Sequence, residues 1–536
     1  LRRWNGWGDE SVQAHLGEGA RDFLGQQIGA TTRSVDAALA LALTQVRDQP
    51  TRLPAHALVS TEPEDRLRAS FGQSLGDWLR LRFGRIGPVT DGVAWPESAA
   101  DVRELLDWAR QVGAIVVPCG GATSVVGHLT RPHSERPVLT IAMTRLRRLL
   151  RLDPLAQLAT FEAGVAGPDL EAQLRAHGWM LGHYPQSFEY ATLGGWVVTR
   201  SSGQQSARYG RIEALFAGCT LETPTGPLHI PTFPASAAGP DLREWVLGSE
   251  GRLGILTEAT VRVSRLPERE QFVGVFLPDW AEGEAAVREL AQARLGLSML
   301  RLANAIETLT TLRLAGHESA ILWLERYLAL RGCGAGKVLL LLGFTGAAEQ
   351  VRAMRSQAGA ILARHGGVST GTLLGSKWQA NRFKGVYLRN ALWDAGYAVD
   401  TMETAVDWPR VPAMMQAMEE AGRGALTAAG ERCHAYTHLS HVYPQGSSVY
   451  STFVFRIGAD FDAAWARSVA LKSAVSEAIV RQGGTITHQH GVGKDHARYL
   501  GAEKGARGMA GLAALIAHFD PDAVMASGNL LPAADA

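Results

Sequence analysis

Cysteine is scarce in this chain. There are four in 536 residues, Cys119, Cys219, Cys333 and Cys433, and no two of them form a CxxC pair. That scarcity excludes a disulfide-built scaffold and a zinc ribbon and points to reduced thiols. Long apolar runs are also missing. Stretches such as Val338–Leu342 fall far short of the roughly 20 residues that cross a bilayer as a helix. The first residues lack the apolar core of a signal peptide. Excess charge of either sign is absent, with 53 Lys and Arg against 52 Asp and Glu, which removes the electrostatic case for nucleic acid. The one basic cluster, Arg145 to Arg151, alternates Leu with Arg, as a solvated edge beside a core does, rather than forming a membrane patch. No internal repeat or low-complexity tract stands out. These exclusions leave a cytoplasmic enzyme as the expectation, with Leu1 in first position leaving room for an upstream segment. At this length the chain exceeds one hydrophobic core, so two or more domains are expected.

What is present begins with two glycine-rich loops. The more informative runs from Pro185 to Gly210, with the pair Gly194-Gly195, the hydroxyls of Thr192, Thr199, Ser201 and Ser202, one arginine at Arg200 and a Tyr209-Gly210 turn. Glycines let backbone N–H groups approach a ligand, and hydroxyls hydrogen-bond a phosphorylated or polyhydroxylated tail. Alone, the loop also fits a tight turn of an ordinary enzyme. The second loop, Pro118-Cys119-Gly120-Gly121-Ala122-Thr123-Ser124 through Gly127, follows an apolar strand pattern at Ala114–Val117, which follows a helix pattern at Val102–Val112. A strand ending in such a turn suits a pyrophosphate held by main-chain donors. Neither loop is GxGxxG or GxxxxGK[ST], so neither the dinucleotide fingerprint nor the P-loop is supported. Two such loops suggest one elongated cofactor lying across a domain.

Periodicity divides the chain into four blocks. Residues 1–88 are helix-rich, with capped, charged patterns at Ser34–Arg47 and Glu64–Phe83, and are expected to pack over the later domains. Residues 89–267 alternate strand and helix patterns and carry both loops. Residues 268–459 read as strands at Phe272–Leu277, Lys337–Phe344 and Ser448–Ile457 among helices at Trp280–Leu295, Ala347–His365 and Val411–Gly424. That mixture predicts a sheet with one face covered, forming a substrate cap. Residues 460–536 are expected to be helical and to return to the first domain.

The order of motifs resembles the vanillyl-alcohol oxidase (PCMH-type) FAD-binding flavoproteins. It is carried by both loops, Asp91–Ser98, Phe161–Gly167, Gly248–Glu258 and Asp520–Asn529. Within that group the chain is most similar to the alkyldihydroxyacetonephosphate synthase family, through Arg3-Trp-Asn-Gly-Trp-Gly8, Pro185–Gly210 and Thr487-His-Gln-His-Gly-Val-Gly-Lys494. The resemblance spans essentially the whole chain. It implies an α+β fold, with a two-part FAD domain and an antiparallel cap sheet covered by helices. It also implies non-covalent FAD, His128 being the only nearby residue for a covalent link. The expected cofactor residues are the seven from Pro118 to Ser124 named above, then Gln186, Ser187, Thr192, Gly194, Gly195 and Thr199. Arg200, Ser201, Ser202, Tyr209, Glu250, Gly254 and Ile255 complete the set.

The implied reaction has no net redox change. Flavin N5 attacks C1 of an acyl-dihydroxyacetone phosphate, the fatty acid leaves, a long-chain alcohol adds and the alkyl ether is released. The resemblance gives proton handling to Tyr450 with His488 or His490, and the substrate phosphate to Arg389. Each has a plainer alternative: a tyrosine anchoring a sheet edge, a histidine pair capping a strand end, a surface salt bridge to Asp394 or Asp400. The family carries three consecutive histidines where this chain has His488-Gln489-His490. Glutamine hydrogen-bonds but cannot titrate, so two imidazoles would have to suffice. A general acid or base at Tyr450 would call for a lowered pKa.

Two other functions fit the fold. Flavin 2-hydroxyacid dehydrogenases of the D-lactate or glycolate kind share the tail segment, and many carry His-x-Gly-Asp-Gly-Asn-x-His to bind a metal. Here the stretch from His441 continues Val-Tyr-Pro-Gln-Gly-Ser-Ser-Val-Tyr without a second histidine, so no metal site is expected. A non-catalytic flavin-binding scaffold is the third reading, opposed by the retained Arg389, Tyr450, His488 and His490. A lipid-like phosphorylated substrate and a fatty alcohol are the expected partners, with room for peripheral membrane contact and a homodimer.

Overall fold

In the computed structural model, which describes residues 1–32, 36–314 and 318–531, local sequence signals set up the glycine-rich loop Pro118–Gly127. Ser98 and Asp101 form a reciprocal cap, each side chain accepting the other's backbone N–H at 3.1 Å, and start the helix Ala99–Gln111. Val102, Leu105, Leu106 and Ala109 recur at helical spacing and are fully buried. Gly113, at φ 68°, ends the helix and turns the chain into the strand Ile115–Cys119. That strand pairs in parallel with Val138–Ala142, which pairs in parallel with Gly92–Ala94. Val59–Ser60 completes a four-stranded sheet on the far edge.

A second sheet of five antiparallel strands runs in the order Leu149–Asp153, Leu158–Glu162, Ile255–Arg262, Phe216–Thr223 and Gly226–Ile230. The Arg145–Arg151 run enters this sheet at its edge strand. Arg147, Arg148 and Arg151 are exposed there, as a solvated edge requires. The loop from Pro185 to Gly210 lies beside this sheet. Thr192 caps the short helix Leu193–Val198, and Thr199 Oγ1 closes it by donating to Gly195 O at 2.8 Å.

The cap is one seven-stranded antiparallel sheet, ordered Val368–Ser369, Arg269–Leu277, Val338–Gly346, Met299–Ala303, His434–Leu439, Gly446–Arg456 and Tyr397–Asp407. Its strand Val338–Gly346 is buried throughout, which accounts for its unbroken apolar run. Helices Trp280–Gln292, Ala348–Arg364 and Val411–Ala428 supply apolar side chains to the same core as this sheet. Four strands go beyond the sequence reading: Val368–Ser369, too short to show a period, and the longer Met299–Ala303, Tyr397–Asp407 and His434–Leu439. The mixed polar and apolar residues of the longer three face a site on one side, so simple alternation is lost.

The N-terminal helix Leu75–Phe83 joins the cap core through Trp78, which is fully buried and meets Trp393 edge-on at 5.8 Å between ring centroids. Helix Leu39–Arg47 lies in the patterned stretch 34–47; its expected start at Ser34 is outside the described residues, as are 532–536. After helices Phe461–Arg481 and Leu500–Phe519, the tail returns to the first sheet. Val524 and Met525 are buried there, and Val116 N–H donates to Val524 O at 2.7 Å.

Candidate active site

A cavity of about 710 Å³ runs between the two glycine-rich loops and under the cap sheet. Its lining includes every expected cofactor residue except Arg200 and Tyr209, and also Arg389, Tyr450, Gln489 and His490.

The loops abut one another. A Cβ on Gly121 would stand 1.8 Å from Tyr190 O, and one on Gly120 would stand 2.3 Å from Thr192 Oγ1. The glycine pair therefore serves close packing of one loop on the other. Among the described residues, the amides of Gly120, Gly121, Thr123 and Ser124 have no protein acceptor, a row of free donors suited to an anion. Ser202 Oγ is buried without a partner and is free for a ligand. Other hydroxyls have local partners: Ser201 Oγ lies 3.2 Å from His183 Nε2, and Ser124 Oγ lies 2.5 Å from His128 Nδ1. His128 Nε2 lies 2.9 Å from Glu250 Oε2. These free donors, beside an extended cavity, fit the diphosphate and polar tail of FAD.

Two expected ligands are corrected. Arg200 sits at φ 52° and its side chain pairs with Glu244 at the surface. Tyr209 packs over Gly182, where a Cβ would stand 2.6 Å from its ring, and lines a separate surface pocket. Thr199 and Ser201 on either side of Arg200 line the cavity, so only the arginine side chain turns away, whereas Tyr209 lies outside it. Glu250 also works differently from a direct ligand. Its carboxylate accepts the N–H groups of Val492 and, at 2.8 Å, Gly493, clamping the tail turn to the cofactor domain. Gly493, at φ 54°, has room for no side chain, since a Cβ would stand 2.1 Å from Val126 O.

At the cap end, Tyr450 stacks on His438 with ring centroids 4.8 Å apart and meets His490 edge-on at 5.7 Å. Enclosure, together with the Glu403 and Asp400 charges, raises its pKa well above that of an ordinary phenol. The lowered value expected for a general base is thus absent, and the group is held protonated. His488 does not reach the cavity. Its Nε2 lies 2.7 Å from both Arg211 Nη1 and Tyr443 Oη, and burial lowers its pKa. It stands one layer behind His490.

Glu403 organises the run. Its Oε1 accepts the backbone N–H groups of His488, Gln489 and His490 at 3.1, 2.6 and 2.9 Å. Burial disfavours the charge, but His490, His488 and these amides hold the carboxyl far below its usual pKa. No local spacing signals this role, because 84 residues separate Glu403 from Thr487, whose hydroxyl also donates to it at 3.2 Å.

Arg389 lies over the Trp78 ring at 4.2 Å, and its Nη1 donates to Gln73 O. Among the described residues it has no carboxylate within salt-bridge distance: Asp394 pairs with Arg82, and Asp400 lies 3.8 Å from Lys472. Enclosure lowers its pKa to about 10, which leaves it a cation at neutral pH. A cation–π contact contributes about 2 kcal/mol when desolvated, less than the several kcal/mol that enclosing a charge costs. An anion from the cavity would complete its coordination. A further cluster unseen in the sequence, Arg301, Glu307 and His438, lines the same end; His438 Nδ1 lies 2.9 Å from Glu307 Oε2. Among the described residues no three His, Cys, Asp or Glu side chains group to hold a metal ion.

Fold and groove define a PCMH-type FAD-binding flavoprotein. The model of the FAD binding domain matches residues 90–230, and that of the C-terminal domain of FAD linked oxidases matches residues 266–530. More particularly, the chain belongs to the alkyldihydroxyacetonephosphate synthase family. It is 30% identical over 442 residues to the synthase of Dictyostelium discoideum, covering 81% of this chain and 72% of that one. Identity to the Trypanosoma brucei brucei synthase is also 30%, over 478 residues, 87% of this chain and 77% of that protein. A solved alkyldihydroxyacetonephosphate synthase structure superposes with a TM-score of 0.84 at 25% identity, covering 98% of both chains.

Proposed function

We propose that the protein exchanges the acyl group of an acyl-dihydroxyacetone phosphate for a long-chain alkoxy group, as an FAD-dependent alkyldihydroxyacetonephosphate synthase. One observation carries the reading: the Arg389 cation, which makes no salt bridge among the described residues, opens into the cavity shared by the FAD loops, Tyr450 and His490. A hydroxyacid oxidase could use such a cation for a carboxylate, but membership of the synthase family favours a phosphate.

FAD, when bound, supplies a ring nitrogen that exchanges one carbon substituent for another, splitting a hard substitution into two easier ones. The free amides of Gly120, Gly121, Thr123 and Ser124, with Ser202 Oγ, would hold its diphosphate and polar tail. Arg389 holds the substrate phosphate and so fixes C1 near the cap. His490, at the cavity wall, takes the C1 proton and later returns one. Tyr450, kept protonated by its enclosure, donates a hydrogen bond to the departing carboxylate. His488, fixed by Arg211 and Tyr443, positions His490 through the backbone that Glu403 holds.

Peripheral lipid contact is supported by the helix Glu318–Leu330, which exposes Leu322, Trp323, Tyr327 and Leu330. Among the described residues no helix is long and apolar enough to cross a membrane.

The test is anaerobic mixing of the FAD-loaded protein with palmitoyl-dihydroxyacetone phosphate and, separately, with D-lactate. Palmitate release with loss of the oxidised-flavin band, followed by ether formation on adding hexadecanol, is expected. Flavin reduction by D-lactate with pyruvate formed, and no palmitate release, would overturn the proposal.

A further inference from the structure

The Arg3-Trp-Asn-Gly-Trp-Gly8 motif has no role in the chemistry above, yet with Arg2 it touches both ends of the site. Arg2 Nη2 donates to Gly121 O at 2.7 Å and contacts Ala122 O at 3.4 Å, with its guanidinium over the Tyr190 ring. A planar peptide whose C=O is held on one side presents its N–H on the other. The N–H groups opposite these two carbonyls belong to Ala122, whose N–H is turned to Cys119 Sγ, and to Thr123, whose N–H is free in the cavity wall. Arg2 also adds a positive charge directly behind that loop.

Five residues on, the chain reaches the other end. Asn390 Nδ2 donates to Trp7 O at 2.9 Å, and Trp7 N–H donates to Asn390 Oδ1 at 3.2 Å. Asn390 neighbours Arg389 on the helix Leu388–Asp394. Trp7 lines the cavity and meets Tyr190 edge-on at 5.6 Å. The motif's glycines make this approach possible. A Cβ on Gly6 would stand 2.7 Å from Asn390 Oδ1, and one on Gly8, at φ 82°, would stand 2.3 Å from the Tyr387 ring.

We propose that residues 2–8 form a positioning strap that ties the FAD diphosphate loop to the helix carrying Arg389. Arg2 is a positioning residue for the loop, and Trp7 with Asn390 is a positioning pair for the arginine. The second half rests on Arg389 being the phosphate ligand.

The loop half is tested by titrating apoprotein with FAD and following the quenching of flavin fluorescence. Arg2→Gln is expected to weaken FAD binding about tenfold or more, and Arg2→Lys, which keeps the charge but loses the fork, to fall between it and wild type. The apoprotein melting temperature should stay close to wild type in both. Unchanged FAD affinity, or a melting temperature that falls in step with affinity, overturns this half. For the arginine half, Gly6→Ala and Asn390→Ala are expected to raise KM for palmitoyl-dihydroxyacetone phosphate about fivefold, with kcat and FAD affinity near wild type. An unchanged KM in both overturns it. If Arg389→Leu itself leaves KM unchanged, the phosphate assignment and this half fail together, while the FAD titration still decides the Arg2 contact.

Discussion

Glu403 stands directly opposite Tyr450 in the antiparallel pairing of strands Tyr397–Asp407 and Gly446–Arg456. The carboxylate that grips the amides of His488, Gln489 and His490 thus shares a rung with the phenol beside His490. One strand pair is the common frame for the phenol and for the carboxylate that positions His490.

Glu403→Gln removes the charge while keeping the shape. Stability at pH 7 is expected to drop by about 2 kcal/mol, since hydrogen bonds to a charged group are worth roughly 1.5–3 kcal/mol. The pH dependence has a definite sign. The folded carboxyl pKa is depressed, so its contribution is complete above the unfolded value, near 4.3, and fades as pH falls toward the folded value. Urea unfolding from pH 7 to pH 3.5 should show a gap between variant and wild type that is constant at first and narrows below about pH 4.

Tyr450→Phe should keep FAD and fold and lose turnover by about 100-fold or more, the range for losing one hydrogen-bond donor to a developing charge. Because enclosure raises the phenol's pKa, the wild-type pH–rate profile should show no tyrosine ionisation up to pH 9. A basic limb below that pH, absent in the variant, would assign the phenolate a role and contradict the reading.

For Arg389→Leu, the expectation is a loss of about 100-fold in kcat/KM toward the phosphorylated substrate with the flavin spectrum unchanged. Inorganic phosphate should inhibit wild type and not the variant; equal inhibition of both would remove Arg389 from the site.

Gln489→His restores the family's third histidine. Gln489 lines the cavity with its Oε1 unpartnered, so an imidazole there breaks no hydrogen bond. Turnover is expected within about threefold of wild type, since His490 and Tyr450 already provide both proton functions. A rise of tenfold or more in palmitate release would mean that two imidazoles do not suffice.

The cofactor end of the site was legible because its signals are local. A strand, a glycine pair and a run of hydroxyls lie next to one another at Ile115–Ser124 and at Thr192–Ser202, and chain neighbours stay neighbours in space. Even there, Arg200 turns its side chain out to Glu244 although Thr199 and Ser201 line the groove, and Tyr209 with its neighbours lines a separate pocket. The cap end was legible only through resemblance. The partners of Arg389 are Gln73 and Trp78, and those of His488 are Arg211 and Tyr443. Such separations leave no trace in spacing or periodicity.

The sequence by itself determined two loops suited to one extended cofactor and the main apolar strands and helices, because these follow from short-range turn chemistry and from apolar periodicity, while the naming of FAD came through resemblance. Only the tertiary structure decided which groups face the cavity and in what charge state. Arg389 makes no salt bridge among the described residues, and Asp400, whose charge acts on it, lies 3.8 Å from Lys472. Tyr450 stays protonated because the cap encloses it, and Glu403 stays ionised because His490, His488 and the amides of this distant segment converge on it. Those outcomes depend on burial and on contacts between distant segments, which exist only once the chain has packed.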